Sequence, residues 1–383
     1  MNSSRELLAQ LVRFDTTSRE SNLALIDCVR TYLQGHGVAC ELLFNEHKSK
    51  ANLLATLGPA DVPGIVLSGH TDVVPVDGQR WSVAPFELTE RDGKLYGRGT
   101  ADMKGYIACV LALVPALMEA PLRMPVHIAL SYDEEVGCLG VRSLIERFHA
   151  QPVKPLLCVI GEPTELKPVL GHKGKLAMRC DVHGAACHSA YAPSGVNAIE
   201  YAACLISELV HIGDGLKAPA QRDLRFDPPF STVQTGVING GKALNIVPQQ
   251  CSFDFEVRAL PAHDPRQVAD ALRDYAERSL LPAMQAVSAH SAISISELSS
   301  YPGLATSAES QAAEWVAQFS GSRDFGTVAF GTEGGLFDQA GIPTVVCGPG
   351  SMAQGHKPDE FISVAQLEAC DRMLERVLAF VRY

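Results

Sequence analysis

The sequence predicts an α/β fold. A discontinuous domain with a mostly parallel central sheet flanked by helices is interrupted by a smaller α+β unit of βαββαβ order. Three observations predict this. The 383 residues exceed what one ordinary core accommodates, so two domains are expected. As far as residue 170, continuous apolar segments alternate with helical patterns, which is how a parallel sheet covered on both faces reads. From Gly174 the texture changes to half-exposed alternating strands, and from about residue 291 the helix–strand alternation returns. The expected division is 1–174 with 291–383 for the larger domain and 175–290 for the insertion.

The elements follow in order. Asn22 is placed to cap a helix that runs to about Tyr32 and stops at Gly35 and Gly37. Apolar strands are expected at 52–57 (NLLATL), 65–68 (IVLS), 126–131 (VHIALS) and 156–160 (LLCVI). A helix at 105–118 carries the run YIACVLALVPALM, which is too short to span a bilayer and contains Pro115. Another helix falls near 139–148. In the insertion, LAMRCDVHG reads as a half-exposed strand, and a helix opened by Pro193 and Ser194 spans about Val196 to Ile212. STVQTGVI and CSFDFEVRAL are strand-like, and a helix then takes Asp264 as cap and Pro265 at its first position. A last strand of the insertion is expected at 292–297. Beyond it come a helix near 308–319, strands GTVAF and TVVCG, and a final helix. Ser363 and Gln366 form a capping box for that helix, and Val364, Leu367, Leu374, Val377 and Val381 form its apolar stripe.

Composition narrows the function classes. The chain is 46% hydrophobic and 20% charged, as in a globular enzyme, and its net charge of −11 argues against a nucleic-acid partner. The start, MNSSRELLAQLVRF, lacks the apolar core of a signal peptide. Eleven cysteines without a CxxC pair suggest reduced thiols. The expectation is a cytoplasmic protein with no membrane partner.

In an open α/β sheet, ligands bind beyond the carboxyl ends of the strands. His70 and Asp72 follow one strand. Asp102 lies in the segment GRGTADMKG, Asp133, Glu134 and Glu135 follow VHIALS, Glu162 follows LLCVIG, and His356 comes after TVVCGPGS. Alone, His70 would more often be a satisfied core or turn histidine, and Asp102 could equally cap the next helix. GRGTADMKG has neither the dinucleotide nor the P-loop spacing. Carboxylates and imidazoles collected at one rim need a cation. Nitrogen and oxygen ligands without thiolate suit zinc, with cobalt or manganese as alternatives. Two histidines and three carboxylates suit two metals about 3.5–4 Å apart, a hydrolytic arrangement. Asp72, two residues from His70, faces the same way and is placed to hold its far nitrogen. Glu134 and Glu135 point to different sides, so one is a ligand and the other is free as a general base.

The motifs GHTDVVP (69–75), GRGTADMKG (97–105), SYDEEVG (131–137), GEPT (161–164) and GHKPDEF (355–361) resemble, in this order and over essentially the whole chain, the M20 family of zinc peptidases and amidohydrolases. The resemblance implies two zinc ions per subunit, replaceable by cobalt. It implies that Asp102 bridges them, that His70 and Glu162 complete one site and that Glu135 and His356 complete the other. It makes Glu134 the base and Asp72 the partner of His70. The insertion would be a lid and dimerisation domain, so a homodimer is expected. CHSAYAPSGVNAI is similar to the family segment whose histidine stabilises the oxyanion in the partner subunit's active site, which implies that role for His188; Cys187 stands where glycine is usual.

Arg258 shares one face of an alternating strand with Asp254 and Glu256 and suits a substrate carboxylate, with Asn245 as companion; the alternative is a surface ion pair with Glu256. Within the family, GHKG, FGTEGG and GPGSMAQGHKPDE resemble the branch that removes acetyl from N-acetylornithine in arginine biosynthesis. Related desuccinylases carry a small polar residue where Glu333 stands, and an acid there favours a cationic side-chain end. The other readings are the same hydrolysis of N-succinyl-diaminopimelate, N-acetylcitrulline or general N-acyl amino acids, and a metal-dependent binding protein without catalysis.

Overall fold

The computed structural model describes residues 3–383. The chain divides into two compact units. The larger comprises the residues up to Gly171 with Leu304–Thr327 and Thr332–Tyr383, and the smaller comprises His172–Gly303 with Val328–Gly331.

The larger unit is built on one mixed sheet with the strand order Cys40–Phe44, Ala51–Leu57, Val126–Ser131, Ile65–His70, Leu157–Pro163, Thr344–Gly348, Val169–His172 and Leu304–Ala305. Its centre is parallel, as expected: Ile65–His70 runs parallel to both Val126–Ser131 and Leu157–Pro163, and Thr344–Gly348 runs parallel to Leu157–Pro163. These strands are buried along their length, which is why they read as continuous apolar runs. The flank is antiparallel. Cys40–Phe44 and Ala51–Leu57 pair antiparallel, and Ala51–Leu57 also pairs antiparallel with Val126–Ser131. No helix separates the first two strands, and a parallel return needs a crossover.

Helix Lys104–Glu119 is almost wholly buried and packs in the core with Leu8, Leu11, Leu367 and Leu374 from the first and last helices. Asn22 occupies the N-cap position of Leu23–Gly35 but makes no capping bond. Its amide instead clamps the backbone of Ala51 from both sides and donates to Thr71 Oγ1. Ser363 does cap Val364–Val381 by accepting from Gln366 N at 3.2 Å. The return half of that box is absent, because Gln366 Oε1 accepts from Gly350 N.

The smaller unit is a four-stranded antiparallel sheet, ordered Thr232–Gly240, Gln250–Ala259, Gly174–His183, Ala292–Tyr301. Its helices include Ala198–Gly215 and Arg266–Tyr275. Cys251, Phe253, Phe255, Val257 and Ala259 alternate into its core. Asn197, rather than Pro193 and Ser194, opens Ala198–Gly215, accepting from Ile199 N and Glu200 N. Pro193 and Ser194 lie in a short 3-10 turn before it. Strand Ala292–Tyr301 pairs with Gly174–His183 along its length, so the smaller unit continues past the expected return at residue 291. Among the described residues, no helix is long and apolar enough to cross a membrane.

Candidate metal centre

The parallel strands of the larger unit deliver their C-terminal ends to one group of side chains. His70 is the last residue of its strand, and Glu162 sits near the end of Leu157–Pro163. Glu134 and Glu135 lie in the loop after Val126–Ser131, which turns sharply where Asp133 adopts a positive φ. Lys50 Nζ anchors that turn through an ion pair of 2.5 Å with Asp133. Asp102 precedes helix Lys104–Glu119, and the Asp102–Met103 peptide is cis.

These side chains form two groups that share Asp102. His70, Asp102 and Glu162 offer ligand atoms within 4.8 Å of one another, and so do Asp102, Glu135 and His356. The two oxygens of Asp102 are divided: Oδ1 lies 3.0 Å from His70 Nε2, and Oδ2 lies 3.2 Å from His356 Nε2. Glu162 Oε1 is 3.6 Å from His70 Nε2, and Glu135 Oε1 is 3.0 Å from His356 Nε2. Glu134 belongs to neither group; its Oε1 lies 3.5 Å from Cys138 Sγ.

The hydrogen bonding of His70 shows why a cation fits here. His70 Nδ1 is 2.9 Å from the Asp72 carbonyl oxygen, which only accepts, so Nδ1 carries the hydrogen. In the neutral ring Nε2 then presents a lone pair, and it faces two carboxylate oxygens. Acceptor against acceptor in a buried site is unfavourable unless a proton or a cation lies between them. Burial pushes the His70 imidazole down, yet Glu162, Asp102 and Asp72 hold it well above the ordinary histidine range. Asp102 and Glu135 raise His356 to about 10. Burial pushes Glu162 well up and Glu135 up as well, the Asp102 charge adding to each. Glu134 is pushed well up too, mainly by burial, with Glu135 and Glu333 adding to it and His70 opposing. A site with this much crowded negative charge has a cation's place in it, and its nitrogen and oxygen donors without thiolate fit a pair of zinc-like ions.

Asp72 does more than the spacing suggested. Its Oδ1 stands 3.5 Å from His70 Nδ1 and accepts from Glu134 N at 3.1 Å. Its Oδ2 accepts from Glu135 N at 3.3 Å and from Ser18 Oγ at 2.7 Å. Asp72 thus orients the His70 imidazole through its carbonyl oxygen, and its carboxylate fixes the backbone of the Glu134–Glu135 pair. Two-residue spacing signalled the first contact; nothing in the sequence signalled Ser18.

Glu333 is buried, with 1% of its surface exposed and Oε1 without a hydrogen-bond partner among the described residues. Burial raises its carboxyl to about 7. Its charge adds to the upward push on Glu134, Cys138 and Cys158, and the nearby Asp72 charge adds to its own.

The remaining sequence candidates belong to the smaller unit. His188 is exposed, and its Nδ1 accepts from Ala190 N at 3.1 Å, which leaves Nε2 as the protonated nitrogen of the neutral ring. Its strand-like pairing to the Asn245 segment comes from Ser189 N donating to Asn245 O and Val247 N donating to Cys187 O. Asn245 is exposed. Cys187 does not adopt a positive φ, so the usual glycine is not required there, and its Sγ lies 3.3 Å from Tyr191 O. Arg258 is engaged by Glu256, at 3.2 Å from Nε, and by Tyr301 Oη, at 2.7 Å from Nη1.

Comparison with known proteins decides the family. Residues 66–379 match the model of peptidase family M20/M25/M40. The chain belongs to the M20 family. This M20 chain is 36% identical over 382 residues to an acetylornithine deacetylase of Myxococcus xanthus, covering 98% of the chain and 96% of the relative. It is 35% identical over 368 residues to an acetylornithine deacetylase of Pasteurella multocida, covering 94% and 91%. Among solved structures, an M20 family metallo-carboxypeptidase from Sulfolobus solfataricus superposes with a TM-score of 0.77 at 19% identity, covering 99% of each chain. A Bacillus subtilis M20 peptidase described as dinuclear metal binding gives 0.62 at 14% identity, covering 98% and 97%. The protein is accordingly an enzyme, a metal-dependent amide hydrolase of the acetylornithine deacetylase type.

Proposed function

We propose that the protein hydrolyses N-alpha-acetyl-L-ornithine to L-ornithine and acetate. The observation that carries the chemistry is the divided Asp102 carboxylate with a histidine on each oxygen and the Glu134 carboxylate left outside both groups. The substrate is supported by near-full-length similarity to acetylornithine deacetylases. His70, Asp102 and Glu162 would hold one zinc ion, and Asp102, Glu135 and His356 the other. When bound, the ions supply Lewis-acid polarisation of the amide carbonyl and acidify water.

The chain's own groups do the rest. Glu134, its proton affinity raised by burial, takes a proton from water as the water oxygen bonds to the acetyl carbon. As the C–N bond breaks, Glu134 returns that proton to the leaving amine, and acetate remains. Asp72 keeps Glu134 aimed by holding its backbone amide. His188 Nε2–H is the proposed donor to the oxyanion in the partner subunit's active site, and Arg258 with Asn245 the proposed partners of the substrate carboxylate. Glu333, being buried, would favour the ornithine amine through its charge, not through a surface contact.

In this proposal the larger unit is catalytic, and the smaller is a lid and dimerisation domain. The strand Thr232–Gly240 ends its sheet with Val237 and Ile238 half-exposed, a feature suited to covering by a second copy. A dimer in sedimentation supports this, and a monomer at micromolar concentration overturns it. Purified, zinc-loaded protein compared on N-acetylornithine, N-succinyl-diaminopimelate, N-acetylcitrulline and N-acetylmethionine tests the substrate, because specificity is a ratio of kcat/KM values. Acetylornithine turning over no faster than acetylmethionine would refute the assignment.

A further inference from the structure

The motif GHKPDEF carries a second acid that neither metal group uses. Glu360 is buried, as is Arg98, and the two pair at 2.7 Å through Arg98 Nη1 and Glu360 Oε2. The other carboxylate oxygen of Glu360 accepts from two successive backbone amides, Ala101 N at 3.0 Å and Asp102 N at 3.1 Å. Glu360 therefore grips the backbone of the residue whose side chain both metal groups share.

Arg98 carries the connection onward. Its Nη1 also reaches the carbonyl of Lys357 at 3.3 Å, and its Nη2 donates to Gln79 Oε1 at 2.7 Å. Gln79 Nε2 in turn donates to the carbonyl of His356 at 3.0 Å. Gly97 N donates to Glu360 O, and Lys94–Tyr96 pairs with Phe361–Ser363, so the two segments are laced at their bases. Three side chains thus fix the backbone of Asp102 and the backbone of His356 against each other. His70 and Glu162, placed by the sheet itself, have no such tether in this network. A buried Arg–Glu pair is weak evidence for stability on its own. The second oxygen of Glu360 is spent on the Ala101 and Asp102 amides, and Arg98 Nη2 holds Gln79, which holds the His356 carbonyl; these contacts at two ligands point to a positioning function.

We infer that Glu360, Arg98 and Gln79 form a clamp that sets the distance between Asp102 and His356 and thereby governs the affinity of the Asp102–Glu135–His356 site for its divalent ion. None of the three touches the reacting atoms; they are positioning residues. The inference rests on the two-cation reading given above.

The test is titration of metal-free protein with cobalt, followed by calorimetry and visible absorption, for wild type, Glu360→Ala, Glu360→Gln and Gln79→Ala. Loss of an outer partner of a metal ligand typically costs about 10–100-fold in affinity. The expected result is that one of two cobalt sites weakens by that factor in Glu360→Ala and in Gln79→Ala, while the other, which shares Asp102 but not His356, weakens clearly less. Glu360→Gln falls between, since it keeps an acceptor for the two amides but loses the charge facing Arg98. Two sites of wild-type affinity in both alanine variants, or equal weakening of both sites, overturns the clamp. Gln79 is uncharged and only half-buried, so if Glu360→Ala does not fold, Gln79→Ala alone decides. Wild-type protein that takes up one ion or none overturns the two-cation reading instead, and the clamp with it.

Discussion

Replacing Glu134 with glutamine separates catalysis from metal binding. The side chain stands outside both ligand groups, and its Oε1 accepts from Cys138 Sγ at 3.5 Å. Its backbone amide, held by Asp72 Oδ1, is untouched by the change. Glutamine has nearly the same shape, so packing and the two ligand groups are preserved, and what is lost is the proton acceptor. General-base catalysis is worth about 10²–10⁴ in rate, equivalent to about 3–5 kcal/mol of barrier. Glu134→Gln is therefore expected to lower kcat on N-acetylornithine by that factor, with metal content by elemental analysis and KM little changed. Steady-state kinetics on metal-loaded protein reads the effect. A variant that keeps kcat within a few-fold, or loses activity only because it has lost metal, refutes the role given to Glu134.

Other outcomes follow from the same contacts. Asp72→Asn should reduce kcat by about 10–100-fold, because its carboxylate accepts from both amides of the Glu134–Glu135 pair and from Ser18 Oγ beside the His70 ring; unchanged kinetics would contradict that. Burial raises the Glu333 carboxyl from 4.5 to about 7, so in metal-free protein it costs nothing below pH ~4.5, and its penalty grows with pH until it saturates above ~7. Glu333→Gln should then stabilise the chelated protein by up to about 3 kcal/mol above pH 7 and by nothing near pH 4, measured as the difference in urea unfolding. A difference that does not vary with pH rejects this. Phe253 is fully buried in the smaller unit, and Phe253→Ala should cost about 3–5 kcal/mol in denaturant unfolding; a loss under 1 kcal/mol would show that this core collapses around the gap.

The parallel centre of the sheet was legible because strands buried on both faces must be apolar throughout. The antiparallel flank was not, since Cys40–Phe44 and Ala51–Leu57 look the same in sequence whichever way they pair. Capping was legible where a side chain had no better partner, as at Ser363, and misleading where tertiary contacts claimed it: Asn22 clamps Ala51, and Gln366 serves Gly350. The ligand candidates stood out because acids and imidazoles at strand ends are costly without a reason. Glu360 and Arg98 did not, because a buried pair whose work is done on backbone amides leaves no spacing signal. Glu333 was read as an acid near a pocket, but its burial was not legible, because depth within a loop segment is a tertiary property.

The account stands on two divalent cations sharing Asp102. The direct measurement is elemental analysis of protein after exhaustive chelation and after reloading, with N-acetylornithine hydrolysis followed on the same samples. It predicts no activity without metal, and full activity restored at two ions per chain. Undiminished hydrolysis by protein free of transition metal would contradict it.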